Sequence, residues 1–87
     1  MASFKVIVKQ SVAKDLRGIP KKAVARIVKR IEALALEPRP PGVEKLSGQE
    51  KYRIRQGVYR IIYEIKDEEL VIMVVKVGHR RDVYRIS

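Results

Sequence analysis

A chain of 87 residues holds one domain with one modest core and is too short for two. It has no cysteine, which excludes disulfides, thiolate metal sites and a cysteine nucleophile. Twenty Lys and Arg against ten Asp and Glu give a net charge of +10, which favours nucleic acid or an acidic protein as partner.

The start, Met1-Ala2-Ser3-Phe4-Lys5, carries no signal-peptide pattern, and no apolar run approaches the ~20 residues that span a bilayer. A cytoplasmic location is therefore expected. No helix combines a basic face with exposed Trp or Phe, so a membrane surface is not an expected partner. Residues 1 to 31 carry nine basic groups and a single acid, Asp15.

Phe4, Val6 and Val8 alternate with Lys5, Ile7 and Lys9, which predicts a first strand with one strongly apolar face. Ser11 is a good N-cap for a short helix through Arg17 that ends at Gly18, with Val12, Ala13 and Leu16 as its apolar positions. Pro20 sits where a second helix begins, because the first turn does not need the missing N–H. Val24, Ile27, Val28, Ile31, Leu34 and Ala35 then form one apolar stripe. Lys21, Lys22, Arg26, Lys29 and Arg30 occupy the remaining surface. Each taken alone is an ordinary solvated position; together they can dock onto phosphates without reading sequence.

Pro38, Pro40, Pro41 and Gly42 stop the helix. A loop through Val43-Glu44-Lys45-Leu46-Ser47-Gly48 returns the chain to a sheet, with Leu46 expected in the core. The next stretch, Lys51 to Tyr63, is rich in β-branched and aromatic residues around Gln56-Gly57 and reads as a β-hairpin. With Gln56 and Gly57 as the loop, Arg53 lies opposite Arg60; a four-residue loop puts Arg55 opposite Arg60. Either way Tyr52, Ile54, Tyr59, Ile61 and Tyr63 share one face while Arg53, Arg55 and Arg60 share the other. Like charges across a ladder are destabilising, so three guanidiniums on one face point to an anion between them, and their planar forks match phosphate. The plainer alternative is a solvated face.

Asp67-Glu68 fits a second turn before the apolar run from Leu70 to Val77. Its three adjacent carboxylates, with Glu69, have no further ligand nearby, and turn chemistry explains them better than a metal. In this register Ile65 faces Leu70, Tyr63 faces Ile72, Ile61 faces Val74 and Arg60 neighbours Val75. Val71, Met73, Val75 and Val77 then join Ile62 on the arginine side. Two helices cannot cover both faces, which leaves apolar surface for a partner. The segment from Gly78 to Ser87 leaves the strand near the arginines and regains extended structure at Val83.

The residues that carry chemistry are Arg53, Arg55, Arg60, His79, Arg80, Arg81, Tyr84 and Arg85. They include no nucleophilic triad, no carboxylate pair and no glycine-rich phosphate loop. They suit metal-independent phosphoryl transfer, in which an RNA 2′-hydroxyl attacks its neighbouring phosphorus and fixed cations stabilise the developing charge. Positive surroundings lower a tyrosine's pKa, so Tyr84 is a candidate base, although a core or stacking aromatic is the commoner role. His79 is the sole imidazole and a candidate acid or base, with a surface turn position as the plainer interpretation.

The order β-α-α-β-β-β(-β), the Glu44 to Gly48 loop, the strands Tyr52-Arg53-Ile54-Arg55 and Tyr59-Arg60-Ile61-Ile62-Tyr63, and the closing residues 77 to 84, VGHRRDVY, resemble the RelE/ParE superfamily of toxin–antitoxin toxins, most closely its RelE branch. The resemblance covers nearly the whole chain, strongest from Lys45 to Tyr84. It implies one α+β domain over residues 1–87, an antiparallel-dominated sheet with two helices on one face.

The resemblance also implies a ribosome-dependent endoribonuclease that cuts mRNA in the A site and leaves a 2′,3′-cyclic phosphate, without metal or cofactor. Arg53 and Arg55 match basic residues assigned to transition-state stabilisation and base activation, and Arg60 matches the phosphate-binding arginine. Arg80 matches the general acid, with Arg81 or His79 as substitutes, and Tyr84 matches the base. Lys21, Lys22, Arg26, Lys29, Arg30 and Lys45 would face RNA and the ribosome. The implied partner is an acidic, RelB-like antitoxin that wraps a monomeric toxin, with a heterotetramer as the larger assembly. Arginines where lysines are usual, and the lack of the C-terminal helix of some relatives, are departures. The competing readings are a ParE-like inhibitor of DNA gyrase and a non-catalytic RNA-binding module.

Overall fold

The computed structural model describes residues 3–46, 48 and 50–83. Strand β1 (Lys5–Val8) leads into helices α1 (Gln10–Arg17) and α2 (Lys21–Ala33). Strands β2 (Glu44–Lys45), β3 (Lys51–Gln56), β4 (Tyr59–Lys66) and β5 (Val71–His79) follow, then a short helix α3 (Arg80–Val83). The five strands form one sheet in the order β1-β5-β4-β3-β2. β1 runs parallel to β5, and the other pairs are antiparallel. This is the expected α+β architecture.

Both helices pack on one sheet face. Val12 from α1 and Ile27, Ile31 and Leu34 on or just beyond α2 are buried against Tyr52, Ile54, Ile61, Tyr63, Ile65, Ile72, Val74 and Val77. The spacing of these helix positions is the amphipathic stripe visible in the sequence, except that Ala13 and Val28 lie outside the contact and are exposed. Helix α1 begins earlier than Ser11. Lys9 is its N-cap, because the Lys9 N–H still bonds the Val74 carbonyl of the sheet while the Val12 N–H already bonds the Lys9 carbonyl. Ser11 therefore falls inside the first turn. Pro20 takes the N-cap of α2.

Three further expectations are corrected. Leu46 is half-buried outside the core cluster, and Val43 packs there instead. The stretch read wholly as loop contains β2, paired with β3. The segment after Gly78 turns into α3 where extended chain was expected at Val83.

The first hairpin closes on Gly57, at a positive φ of 62°, and Val58. Gln56 pairs with Tyr59 and Arg55 with Arg60, which is the second of the two registers considered. The facial sorting holds. The second hairpin differs more. Asp67–Glu69 form a single 3₁₀ turn and Leu70 takes a left-handed conformation at φ 54°, so Lys66 pairs with Val71 and Ile65 with Ile72. The register then shifts by one residue: Tyr63 pairs with Val74, but Ile62 pairs with Lys76 and Ile61 with Val77. The extra residue is Val75, a β-bulge that turns Val77 into the core. Arg60 consequently pairs with Gly78, not Val75.

Leu70 is 41% exposed, so its side chain contributes little packing while its backbone sits where Cβ is disfavoured. Leu70→Gly is expected to cost nothing and to raise stability by up to about 1 kcal/mol, read as a higher denaturant midpoint at unchanged slope.

The loop after α2 is tied to the sheet through tyrosines. The Tyr63 hydroxyl donates to the Pro38 carbonyl at 2.7 Å, and burial pushes its pKa up to about 12. Its ring stacks on Tyr52, centroids 5.9 Å apart. The Arg39 guanidinium lies over the Tyr52 ring at 5.2 Å and grips Asp67 with two hydrogen bonds of 2.9 and 3.1 Å. Hydrogen bonding to Arg39 holds the Asp67 carboxyl below its usual range. A depressed carboxylate contributes stability above its unfolded pKa and loses it as pH falls through the folded value. Arg39→Ala should therefore flatten the acid side of the stability–pH curve below about pH 5, measured by thermal melts across that range.

Candidate functional site

In an antiparallel ladder, directly paired residues point to the same face. The pairs Glu44–Arg53 and Arg53–Ile62 therefore form one row across β2, β3 and β4 on the face away from α1 and α2. The next row contains Arg55, Arg60 and Gly78 across β3, β4 and β5. Three guanidiniums and one carboxylate are thus grouped at the Gly57 end of the sheet. Glycine at 78 leaves no side chain beside Arg60.

Arg60 is the buried member, at 5% exposure. Its Nη1 donates to the Tyr59 carbonyl at a long 3.5 Å, and its Nε is buried with no acceptor. A buried cation with an unused donor is costly unless something anionic completes it. Arg55 is exposed opposite Arg60. Arg53 donates from Nη2 to the Glu44 carboxylate at 2.6 Å. That hydrogen bond, with the charges of Arg53, Arg55 and Arg60, holds the Glu44 carboxyl below its ordinary range.

Helix α3 packs against β4 and β5, and the Arg80 N–H bonds the Val58 carbonyl at 2.9 Å. This places the start of α3 beside the hairpin tip, with Arg80 and Arg81 exposed. His79 is turned the other way. It pairs with Tyr59 on the face opposite Arg60, meets the Tyr59 ring edge-on at 6.1 Å, and its Nδ1 accepts from the Arg81 N–H at 3.3 Å. His79 is therefore not grouped with the ribbon arginines. Tyr84, the candidate base, and Arg85 lie outside the described residues.

The α2 cations form a separate surface. Lys22, Arg26, Lys29 and Arg30 line two adjoining grooves of about 320 Å³ each against the hairpin tip, with Arg26 and Gln56 shared between them. Lys21 is exposed beside them, and Lys45 is exposed on β2 opposite Tyr52. None of these six belongs to the arginine rows.

Glu44 is the carboxylate of the arginine rows, and the sequence did not single it out as a site residue. Nine positions separate it from Arg53, and only the β2–β3 pairing makes them neighbours. The one available sign was an acid preceding the Lys51–Arg55 strand across a Gly48 turn. On the same face Lys51, Glu64 and Met73 form a third row, separated from Arg60 by Ile62.

This arrangement can do three things chemically. The Arg53, Arg55 and Arg60 forks can bind a phosphodiester and stabilise charge that develops on it. The carboxylate can accept a proton. The exposed arginines of α3 can extend the contact along a polyanion.

The chain is similar to known proteins over most of its length. The family profile described as ParE toxin of type II toxin-antitoxin system, parDE, matches residues 6–84. Toxin RelG of Mycobacterium tuberculosis is 33% identical over 76 residues, covering 83% of this chain and 85% of that protein. The putative toxin RelE1 of Methanocaldococcus jannaschii is 28% identical, covering 94% and 96%. Among solved structures, a chain of the archaeal RelE-RelB complex from Pyrococcus horikoshii OT3 superposes with a TM-score of 0.81 at 32% identity, covering 90% of this chain and 96% of that one.

Proposed function

The chain belongs to the RelE/ParE superfamily of type II toxin–antitoxin toxins, and from that premise we propose that it is an endoribonuclease that cleaves mRNA in the ribosomal A site without metal. The observation that carries this reading is the arginine row itself: a buried Arg60 with an unsatisfied Nε, directly opposite Arg55 and next to Arg53. The Arg60 guanidinium keeps one donor unused beside a long bond to the Tyr59 carbonyl, and a phosphate supplies the missing acceptor and a counter-charge together.

In the proposed reaction the 2′-oxygen of a ribose attacks the adjacent phosphorus as the P–O5′ bond breaks, giving a 2′,3′-cyclic phosphate and a free 5′-hydroxyl. Arg53, Arg55 and Arg60 neutralise charge on the phosphorane-like transition state. Arg80 and Arg81, at the hairpin tip, are placed by this reading near the leaving 5′-oxygen. The sequence assigns the 2′-proton to Tyr84. Lys21, Lys22, Arg26, Lys29, Arg30 and Lys45 would add sequence-independent contacts to ribosomal RNA.

Under the same reading the protein works in the cytoplasm and is held inactive by an acidic antitoxin. A charge of +10 supports an acidic partner. The sheet face without helices supports a wrapping one: Ile7 is exposed, and Val71, Met73 and Val75 are half-buried. The second reading, inhibition of DNA gyrase, is favoured by the match to a ParE family profile.

One experiment separates the two. The protein is added to a translating extract and mRNA 5′ ends are mapped by primer extension, in parallel with a gyrase supercoiling assay. Ribosome-dependent cuts with supercoiling unaffected are the expected result. Intact mRNA with blocked supercoiling would transfer the protein to the gyrase reading.

A further inference from the structure

We infer that Asp15 of α1 is a positioning residue for the cleavage site: its carboxylate pins the bulged end of β5 and thereby sets Gly78 beside Arg60. This rests on the ribonuclease reading above and adds to it a residue that acts through β5 and not on the RNA itself.

Strand β1 pairs with β5 only as far as Val8 and Val74, and its last link is the Lys9 N–H to the Val74 carbonyl. Helix α1 follows at once and packs against β5. There Asp15 Oδ2 accepts from the Val77 N–H at 3.2 Å, and Oδ1 accepts from Lys76 Nζ at 3.0 Å. One side chain, 15% exposed, thus uses both oxygens on the two residues that follow the Val75 bulge. The single acid of residues 1–31 is therefore directed at the sheet.

The tie matters because a bulge interrupts the ladder and leaves the strand beyond it softer. Val77 itself packs in the core, but a cavity of about 290 Å³ borders residues 76–79 together with Ile19 and Tyr59, so packing alone leaves this segment room to shift. At its far end the Arg80 N–H bonds the Val58 carbonyl at 2.9 Å. Residues 77–80 are held between two ties, Asp15 at one end and the hairpin tip at the other, and Gly78 lies between them opposite Arg60.

A full slip is blocked by the core, because pairing without the extra residue would set Lys76 opposite Ile61 on the buried face and Val77 beside Arg60. The carboxylate acts on the finer position. A displacement of about 1 Å at a reacting centre can cost about 10²-fold in rate. Loosening Val77 would move the glycine gap beside Arg60 and the start of α3, with Arg80 and Arg81, together.

Steady-state cleavage on ribosomes programmed with mRNA is compared for wild type, Asp15→Ala, Asp15→Asn and Asp15→Glu, well below the melting temperature of each and normalised to folded protein. Asp15→Ala should lower kcat roughly 10–100-fold, with KM for the programmed ribosome within about threefold of wild type. Asparagine keeps an oxygen for the Val77 N–H, so Asp15→Asn should retain at least about a third of the wild-type kcat. Asp15→Glu keeps the charge but moves it by one methylene, and its kcat should fall below that of Asp15→Asn. That order decides the matter even where Asp15→Ala folds poorly. In amide NMR spectra the Val77 and Gly78 signals should shift in Asp15→Ala and return toward their wild-type positions in Asp15→Asn.

A lower melting temperature for Asp15→Ala with kcat within about threefold of wild type would make the residue a plain structural support and overturns the assignment. So does a raised KM at unchanged kcat, which would put Asp15 in ribosome binding, or an Asp15→Glu rate above that of Asp15→Asn, which would make charge and not position the useful property. Absence of cleavage by the wild type removes the ribonuclease reading, and this one with it; wild-type cleavage matched by Asp15→Ala removes this one alone.

Discussion

Arg60→Met is expected to lower RNA cleavage by about 10²–10³-fold while leaving the fold as stable as before or more so. The two effects have opposite origins in one side chain. Arg60 is 5% exposed, its Nε has no acceptor, and the long contact to the Tyr59 carbonyl is weak compensation for a buried charge. Removing an uncompensated buried polar group recovers about 1–3 kcal/mol, and methionine fills most of the vacated volume with a flexible apolar chain. The catalytic loss arises because preorganised charge in a partly dry site is worth far more than the same charge in water. Paired measurement decides the matter: cleavage in the ribosomal assay and unfolding in denaturant on the same preparation. A variant that loses more than about 1 kcal/mol while keeping its activity would reassign Arg60 to structure. Arg60→Lys keeps charge without the planar fork and should recover only part of the rate.

The origin of that burial shows what sequence could and could not reveal. Alternation alone sorted the tyrosines and isoleucines of Lys51–Tyr63 from its arginines, because side-chain direction in a strand has period two and is independent of loop length. The helix stripe of Ile27, Ile31 and Leu34 was equally plain. The partner of Arg60 was not. Residues Leu70 to Val75 are all apolar, so no alternation fixes their register, and a one-residue bulge at Val75 leaves no compositional trace. Leucine in a left-handed turn at position 70 is likewise unannounced, since glycine or asparagine is the usual sign. Together the bulge and the longer turn carry Gly78 to Arg60.

Glu44 was hidden for a related reason. Two residues, Glu and Lys, have neither β-propensity nor periodicity, and β2 exists because β3 offers an edge to pair with. A site residue supplied by such a strand is visible once the ladder is known and not before. Tyr84 is the opposite case: the chemistry of its neighbours made it conspicuous in sequence, while Glu44 drew attention only through its fixed position beside Arg53.

Ile27→Ala should be the most damaging simple truncation on the helical side, costing roughly 2–5 kcal/mol. Ile27 is 0% exposed, midway along α2, in the same core cluster as Ile54, Ile61 and Tyr63 of the sheet. Removing three carbons there loses transfer free energy and leaves a cavity that close-packed neighbours refill only in part. A domain of 87 residues has a total stability of about 4–13 kcal/mol, so the loss is a large share of the whole and should lower the melting temperature by roughly 10–25 °C. The adjacent Val28, at 38% exposure, provides the control. Val28→Ala should cost under about 1 kcal/mol, although both residues belong to the stripe read from the sequence. Equal losses at the two positions would mean that α2 is rotated on the sheet. Its cations, Arg26, Lys29 and Arg30, would then no longer border the groove beside the hairpin tip.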